Sequence, residues 1–188
     1  MIEFTITFNE ADLRRWYAAT HKLEKEANKE WDENPKRNAI GYSNLLITNI
    51  MMQKGMGHYP SYHPYYAYWK AQYGLGGGGF WRLMGDLVKS ITHFRVTETR
   101  KKQWKSYMGG VPSSAVDSGG KSWFGRGDKG PPKRIAMYGY VMEYGGTWAK
   151  AGVHPPRPLF GPTAEEYQKV QWWKELEVTR SKLVNTWS

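Results

Sequence analysis

Hydrophobic residues recur with two different periods in the first fifty positions. Residues 2–8 alternate apolar and polar side chains, which predicts a half-buried strand. From Asn9, which can cap a helix, apolar residues return at steps of three and four to about Trp31, the pattern of an amphipathic helix. Pro35 is expected to break that helix and to start a second, more apolar one that ends before Gly55. Residues 9–54 are therefore predicted to be a helical region.

The middle of the chain has the pattern of a β-hairpin. The content of β-branched residues rises from Leu87, and the apolar positions up to Val96 indicate a strand. A second strand near 104–108 would pair with it, so strands are predicted within 80–108. Residues 109–133 are dense in glycine, proline and serine, which predicts a long inserted loop.

Residues 134–161 are predicted to contain a turn and a proline-stiffened arm. Glu143 is the one acid in an apolar run, and it is followed by Tyr144, Gly145 and Gly146. The glycines allow a turn with positive φ. Glu143 is expected either to cap a nearby turn or to pair with Arg157. Three prolines at 155, 156 and 158 restrict the backbone of the arm.

The last segment has a helix-start signal followed by helical periodicity. The capping-box spacing from Thr163 to Glu166, just after Pro162, predicts a helix over 162–187 that is long enough to dock on a neighbour. Taken together, the patterns predict a single α+β domain over residues 1–188. A small, mainly antiparallel β-sheet would be packed with N-terminal and C-terminal helices.

Composition adds an aromatic and basic character to this picture. The 188 residues include 10 Trp and 13 Tyr, residue types that are enriched at interfaces, and the net charge is +10. The densest basic run supplies four candidate nucleic-acid contacts: Arg100, Lys101, Lys102 and Lys105. No window approaches the ~18 apolar residues of a membrane span, and no secretory signal is visible, so we expect no membrane partner.

Candidate chemistry is sparse. The absence of cysteine excludes disulfides, thiol catalysis and thiolate metal sites. His58 and His63 could share a metal in a folded loop, but a plain surface loop is the more ordinary interpretation of two such histidines. No acid–base pair of an enzyme is recognisable, so we expect no cofactor, no metal and no catalytic residue.

Three motifs, in order, resemble those of tailed-bacteriophage tail-completion and virion-morphogenesis proteins. Met84 to Ile91, M-G-D-L-V-K-S-I, is similar to their strand-entry motif. Tyr138 to Gly146, with Glu143-Tyr144-Gly145, is similar to a segment they carry some fifty residues later. Pro156 to Ala164, P-R-P-L-F-G-P-T-A, is similar to the motif that leads into their last helix. The resemblance covers roughly residues 64–185.

The resemblance implies a structural protein without turnover. It would form a homo-oligomeric ring, expected to be hexameric, in the neck or at the top of the tail, after assembly in the host cytoplasm. Its partners would be the head connector or adaptor and the tail tube or tail terminator, and genome DNA would pass through the lumen. The candidate interface or structural residues are Gly85, Leu87, Ser90, Ile91, Tyr138, Glu143, Tyr144, Gly145, Gly146, Pro156, Arg157, Pro158 and Phe160.

Two other functions stay open at this point. A basic nucleic-acid-binding protein would use the run from Arg100 to Lys105 for phosphate contacts and the aromatic residues for stacking. An enzyme is the third possibility, and it would need an acid–base pair that the sequence does not reveal.

Overall fold

The computed structural model describes residues 9–52, 68, 86–96, 106–115, 135–148 and 152–187. The predicted strand at 2–8 lies outside these residues. So do Gly85, the four basic residues of 100–105, both loop histidines and most of the predicted loop at 109–133.

The N-terminal helix α1 spans Glu10–Met51 and dominates the structure with its 42 residues. Its predicted cap is confirmed, because the Asn9 side chain accepts a hydrogen bond of 2.9 Å from the Ala11 amide. Glu10 and Asp12 lie in its first turn, where the helix dipole favours acids. A helix of this length extends for about 63 Å.

The predicted break at Pro35 is wrong, because α1 continues through this residue. Proline removes one helical hydrogen bond and crowds the preceding turn. Contacts with the C-terminal helix hold the flanking residues in place: the Asn34 side-chain amide donates to the Glu175 backbone carbonyl at 3.1 Å and to the Thr179 hydroxyl at 2.9 Å. Tertiary contacts made about 140 residues away thus override the local preference.

Two short antiparallel hairpins follow. A helical turn, α2 (Asp86–Ser90), leads into β1 (Thr92–Val96), which pairs with β2 (Ser106–Gly110) from Thr92↔Gly110 to Val96↔Ser106. The hairpin is confirmed, but its first strand begins later than predicted. After helix α3 (Ile135–Tyr144), strands β3 (Gly146–Trp148) and β4 (Gly152–His154) form the second hairpin.

The C-terminal segment is helical from Phe160 to Trp187. It consists of α4 (Phe160–Tyr167), one π-helical turn (Gln168–Trp172) and α5 (Trp173–Trp187). The predicted helix is confirmed, but the capping box is wrong. The Thr163 amide already donates a helical hydrogen bond to the Leu159 carbonyl at 2.9 Å, so Thr163 lies inside the helix.

The apolar core lies along the C-terminal half of α1. Its buried members are Leu46, Ile50, Leu87, Ile91, Ile135 and Leu159. Gly109 lets β2 approach α1 closely, since a Cβ at this position would come within 2.5 Å of the Ala39 carbonyl oxygen. These helices and hairpins give the α+β class that the sequence predicts.

Candidate functional site

Glu143 connects two of the motifs singled out in the sequence. Its carboxylate lies over the first turn of α4, where one oxygen accepts hydrogen bonds from the amides of Leu159 at 2.6 Å and Phe160 at 2.9 Å. The other oxygen accepts from the Gly161 amide at 2.8 Å. Amides at a helix start have no partner within the helix, and the dipole there favours a negative charge. Glu143 thus caps a helix that begins 17 residues later, which confirms the expected capping role.

Gly145 turns the chain immediately after this carboxylate. Its φ of +76° lies in the left-handed region, and its amide donates to the Val141 carbonyl at 2.8 Å to end α3. The predicted glycine turn is confirmed at this residue. Gly146 then begins β3, so the turn determines where the second hairpin leaves the helix.

The proline arm that follows β4 returns to the end of α3. The Arg157 amide donates to the Met142 carbonyl at 2.6 Å, and the Arg157 side chain is fully buried, with Nη1 3.4 Å from the Pro155 carbonyl oxygen. Pro156 and Pro158 on either side are exposed. Replacing the Arg157 side chain is therefore expected to disturb the fold itself. The two exposed prolines remain candidates for contact with another subunit.

The helix that Glu143 caps is also anchored on α1. The Tyr42 hydroxyl donates to the Phe160 carbonyl at 3.1 Å, and the Asn49 side-chain amide donates to the Thr163 hydroxyl at 3.0 Å. Burial raises the pKa of Tyr42 to about 12, and the negative charge of Glu143 adds to this effect. We call Glu143, Gly145, Arg157 and residues 159–161 the Glu143 junction.

A second polar cluster holds α5 to α1. Glu30 is only 1% exposed, and its carboxylate accepts hydrogen bonds from Arg37 at 2.7 Å, from the Thr179 hydroxyl at 3.2 Å and from Lys182. Burial alone would raise the pKa of Glu30, but the bonds from Arg37 and Lys182 outweigh it and lower that pKa. Arg37 also donates to Glu175 at 2.9 Å. We call these five residues the Glu30 cluster.

The remaining predicted residues divide between core and surface. Leu87 and Ile91 are buried in the core, and the Ser90 hydroxyl donates to the Leu87 carbonyl at 2.8 Å. Tyr138 lies within α3. Tyr144 is 69% exposed and contacts Tyr140, with ring centroids 5.0 Å apart. Most of the predicted set therefore builds the scaffold.

Large apolar side chains are exposed on the two terminal helices. On α1 these include Trp16 at 54% and Tyr17 at 64%, and on α5 Trp173 at 67% and Trp187 at 49%. Sequence reasoning predicted an amphipathic helix at both places but did not predict that their aromatic residues would stay exposed. It also missed Glu30. A signal was present, since Glu30 follows Leu23 and Ala27 at steps of four and three on the apolar side of α1.

The described groups are suited to holding a shape. The carboxylates of Glu30 and Glu143 accept hydrogen bonds on both oxygens. Among the described residues, no three histidines, aspartates or glutamates are grouped to hold a metal ion. No helix within the described ranges combines the length and apolar character of a membrane span. The chain matches no protein-family model, no curated protein and no solved structure.

Proposed function

We propose that this chain is a structural virion protein of a tailed phage, a subunit of the neck or tail-completion ring. Copies would associate into a ring, expected to be hexameric, between the head connector or adaptor and the tail tube or tail terminator. The genome would pass through its lumen. The ring would act by shape and contact, without turnover.

The observation that carries this proposal is the exposure of large apolar side chains on both terminal helices. Trp16, Tyr17, Trp173 and Trp187 are each about half exposed or more. Grouped apolar surface on a water-facing helix is typical of a contact with another protein. A subunit whose function is to associate with others needs such surfaces.

The Glu143 junction supports the same proposal. Two of the motifs that resemble the phage proteins, Tyr138 to Gly146 and Pro156 to Ala164, are joined by the three hydrogen bonds of Glu143. The two motifs thus form one structural unit, in which the exposed Pro156 and Pro158 are held at a fixed position. A rigid surface loses little entropy on binding, which favours assembly.

The net charge of +10 favours a second candidate, a basic nucleic-acid-binding protein. Its phosphate contacts would come from Arg100, Lys101, Lys102 and Lys105, which lie outside the described residues. The two functions predict opposite responses to salt. Affinity for nucleic acid falls steeply as salt rises, whereas apolar association between positively charged subunits persists.

Two measurements test the proposed function. Negative-stain images of the purified protein at high salt should show rings with a central opening, alone or with the neighbouring neck and tail proteins. Phage particles produced without this protein should accumulate as unjoined heads and tails. Complete virions with tails attached in its absence would refute the neck function, and a small species with salt-sensitive DNA binding would favour the second candidate.

A further inference from the structure

An exposed strip runs along α5. Trp173, Leu176, Arg180, Leu183 and Trp187 follow one another at steps of three and four, so they lie on one side of the helix. Trp173 is 67% exposed, Leu176 39% and Trp187 49%, and the Arg180 side chain is 72% exposed. We call these five residues the α5 strip. It has the spacing of a helix-packing seam.

Four of the five residues of this strip are left exposed, and Leu183 is half-buried. Three residues of α5 that bond to α1 are Glu175, Thr179 and Lys182. At 100° per residue these three point roughly 110° away from the α5 strip around the helix axis. The Glu30 cluster thus holds α5 so that a polar side faces α1 and the strip faces outward.

A second strip lies near the start of α1, with three exposed residues and two, Leu13 and Thr20, that are half-buried. Leu13, Trp16, Tyr17, Thr20 and Glu24 share one side of the helix, and we call them the α1 strip. Trp16 and Tyr17 are 54% and 64% exposed and pack edge-on with ring centroids 5.4 Å apart. Between positions 9 and 18 every residue except Leu13 is exposed.

The α1 strip extends beyond the end of α5. Glu30 bonds to Lys182 and Arg37 to Glu175, so the two helices run antiparallel. Continuing this pairing places Trp187, the last residue of α5, opposite roughly position 25 of α1. The turns of α1 before that position extend for about 20 Å past the end of α5.

We propose that the α5 strip of one copy packs against the α1 strip of a second copy, in a head-to-tail contact. The inference rests on the proposed function in one respect, namely that copies of the chain associate. Each copy carries two different strips, and a head-to-tail contact uses both on every copy. An unrelated partner bound to one strip would leave the other exposed.

Charge and length complement each other in this pairing. The exposed charges of the two strips are opposite in sign: Arg180 lies at the centre of the α5 strip, where it also donates to Glu177 at 3.1 Å, and Glu24 lies at the end of the α1 strip, 3.8 Å from His21. The strips are of comparable length, about 21 Å on α5 and about 17 Å on α1. Opposite charges favour this pairing over one between two copies of the same strip, which would bring like charges together.

The apolar area is sufficient for a specific contact. Applied to side chains of about 200 Å² each, the exposed fractions of Trp173, Leu176 and Trp187 leave roughly 310 Å² on the α5 strip, and those of Trp16 and Tyr17 leave about 240 Å² on the α1 strip. Because interfaces are a little over half apolar, the contact would bury about 1,000 Å² in total, the lower limit for a specific interface. Closure into a ring, in which every copy makes two such contacts, adds to its stability.

Matched glutamate substitutions on and off the strip of each helix test the contact. Leu176→Glu alters the α5 strip, whereas Val178→Glu places the same charge about 160° away on the same helix, at a residue 43% exposed. Tyr17→Glu alters the α1 strip, and Ala18→Glu is its neighbouring control. Sedimentation velocity at high salt should show oligomers for the wild type and both controls. Circular dichroism should show the same helix content in all five proteins.

The decisive result comes from mixing the two strip variants. Leu176→Glu and Tyr17→Glu should each weaken self-association by about 30-fold or more, as expected for central apolar residues. Each keeps one intact strip, so an equimolar mixture should form a one-to-one dimer that does not grow further. A contact between identical strips would not give this result. In addition, Arg180→Glu should weaken association, and adding Glu24→Arg should restore it.

Several outcomes would overturn the inference. These are a wild type that stays monomeric at high concentration, strip variants that associate as well as their controls, or a mixture that stays monomeric. Rings that persist in both strip variants would refute the proposed contact without contradicting the proposed neck function. Complete virions formed without the protein would refute the neck function, whatever the strip variants show.

Discussion

Removing the Glu143 carboxylate should destabilise the whole fold, because three backbone amides depend on it. In Glu143→Ala, the Leu159, Phe160 and Gly161 amides lose acceptors at 2.6, 2.9 and 2.8 Å. Gly161 is exposed and can bond to water, but Leu159 is only 3% exposed, so its amide would be left unsatisfied. One buried unsatisfied donor costs about 1–3 kcal/mol, and the lost cap and dipole interaction cost about 1–2 kcal/mol more.

We therefore expect Glu143→Ala to lower the free energy of unfolding by about 2–5 kcal/mol. In a chain of this size that corresponds to a fall in Tm of roughly 4–20 °C. Urea unfolding followed by circular dichroism would measure it. Glu143→Gln should lose only about 1–2 kcal/mol, because its one carbonyl oxygen can replace the carboxylate oxygen that accepts from both Leu159 and Phe160.

Glu165→Ala is the matched control, since Glu165 is an exposed residue of the same helix. It should change stability by no more than about 0.5 kcal/mol. The capping argument would be refuted if Glu143→Ala unfolded within 1 kcal/mol of the wild type, a difference of about one hydrogen bond. It would also be refuted if Glu143→Gln were as damaging as the alanine variant.

Three further predictions concern α1 and its contacts. Gly41→Ala should lower the free energy of unfolding by about 1–3 kcal/mol, because its Cβ would lie 2.9 Å from Cε2 of the Tyr167 ring. Alanine is otherwise preferred to glycine inside a helix, so a higher Tm would contradict this prediction. The Tyr42 pKa is about 12 in the folded protein, above the unfolded value near 10. This difference contributes up to about 2 kcal/mol to the free energy of unfolding below pH 10, and the contribution is lost as pH rises toward 12. Tyr42→Phe should lose less of its free energy of unfolding between pH 10 and pH 12 than the wild type does. A stability difference between the two proteins that stays constant over this range would refute the prediction. The pKa of Glu30 is lowered in the folded protein, so its charged form stabilises the fold above about pH 4.5, and this stabilisation should disappear as pH falls below that value. Glu30→Gln should be less stable than the wild type by about 2–4 kcal/mol at neutral pH. Acid unfolding of this variant should lack the part of the stability loss that protonation of Glu30 causes.

Features that depend on neighbouring residues could be predicted from the sequence. Asn9 caps α1 because its side chain reaches an amide two residues on. Gly145 takes a positive φ because it directly follows the end of α3. The hairpin β1–β2 forms where the apolar and β-branched residues indicate strands. In each case the cause and the result lie within a few residues of each other.

Features that depend on distant residues could not be predicted. The helix continues through Pro35 because Asn34 and Arg37 bond to α5, and nothing near Pro35 in the sequence indicates those partners. The start of α4 at Phe160 depends on a carboxylate 17 residues earlier. The Glu143 cap could be anticipated as one of two alternatives, whereas the burial of Arg157 required the folded structure.

The π-helical turn at Gln168–Trp172 determines which side of α5 faces outward. Such a turn is equivalent to one extra residue in an α-helix, and one residue rotates everything that follows by about 100°. A regular α-helix over the same residues would lack this adjustment, so that Glu175 would take the place of Leu176, Thr179 that of Arg180 and Lys182 that of Leu183. The polar side of α5 would then face outward, and Glu30 would lose Thr179 and Lys182 as hydrogen-bond donors. One extra residue, absorbed in a single turn, thus keeps the partners of a buried acid and an outward apolar strip on their present sides of α5.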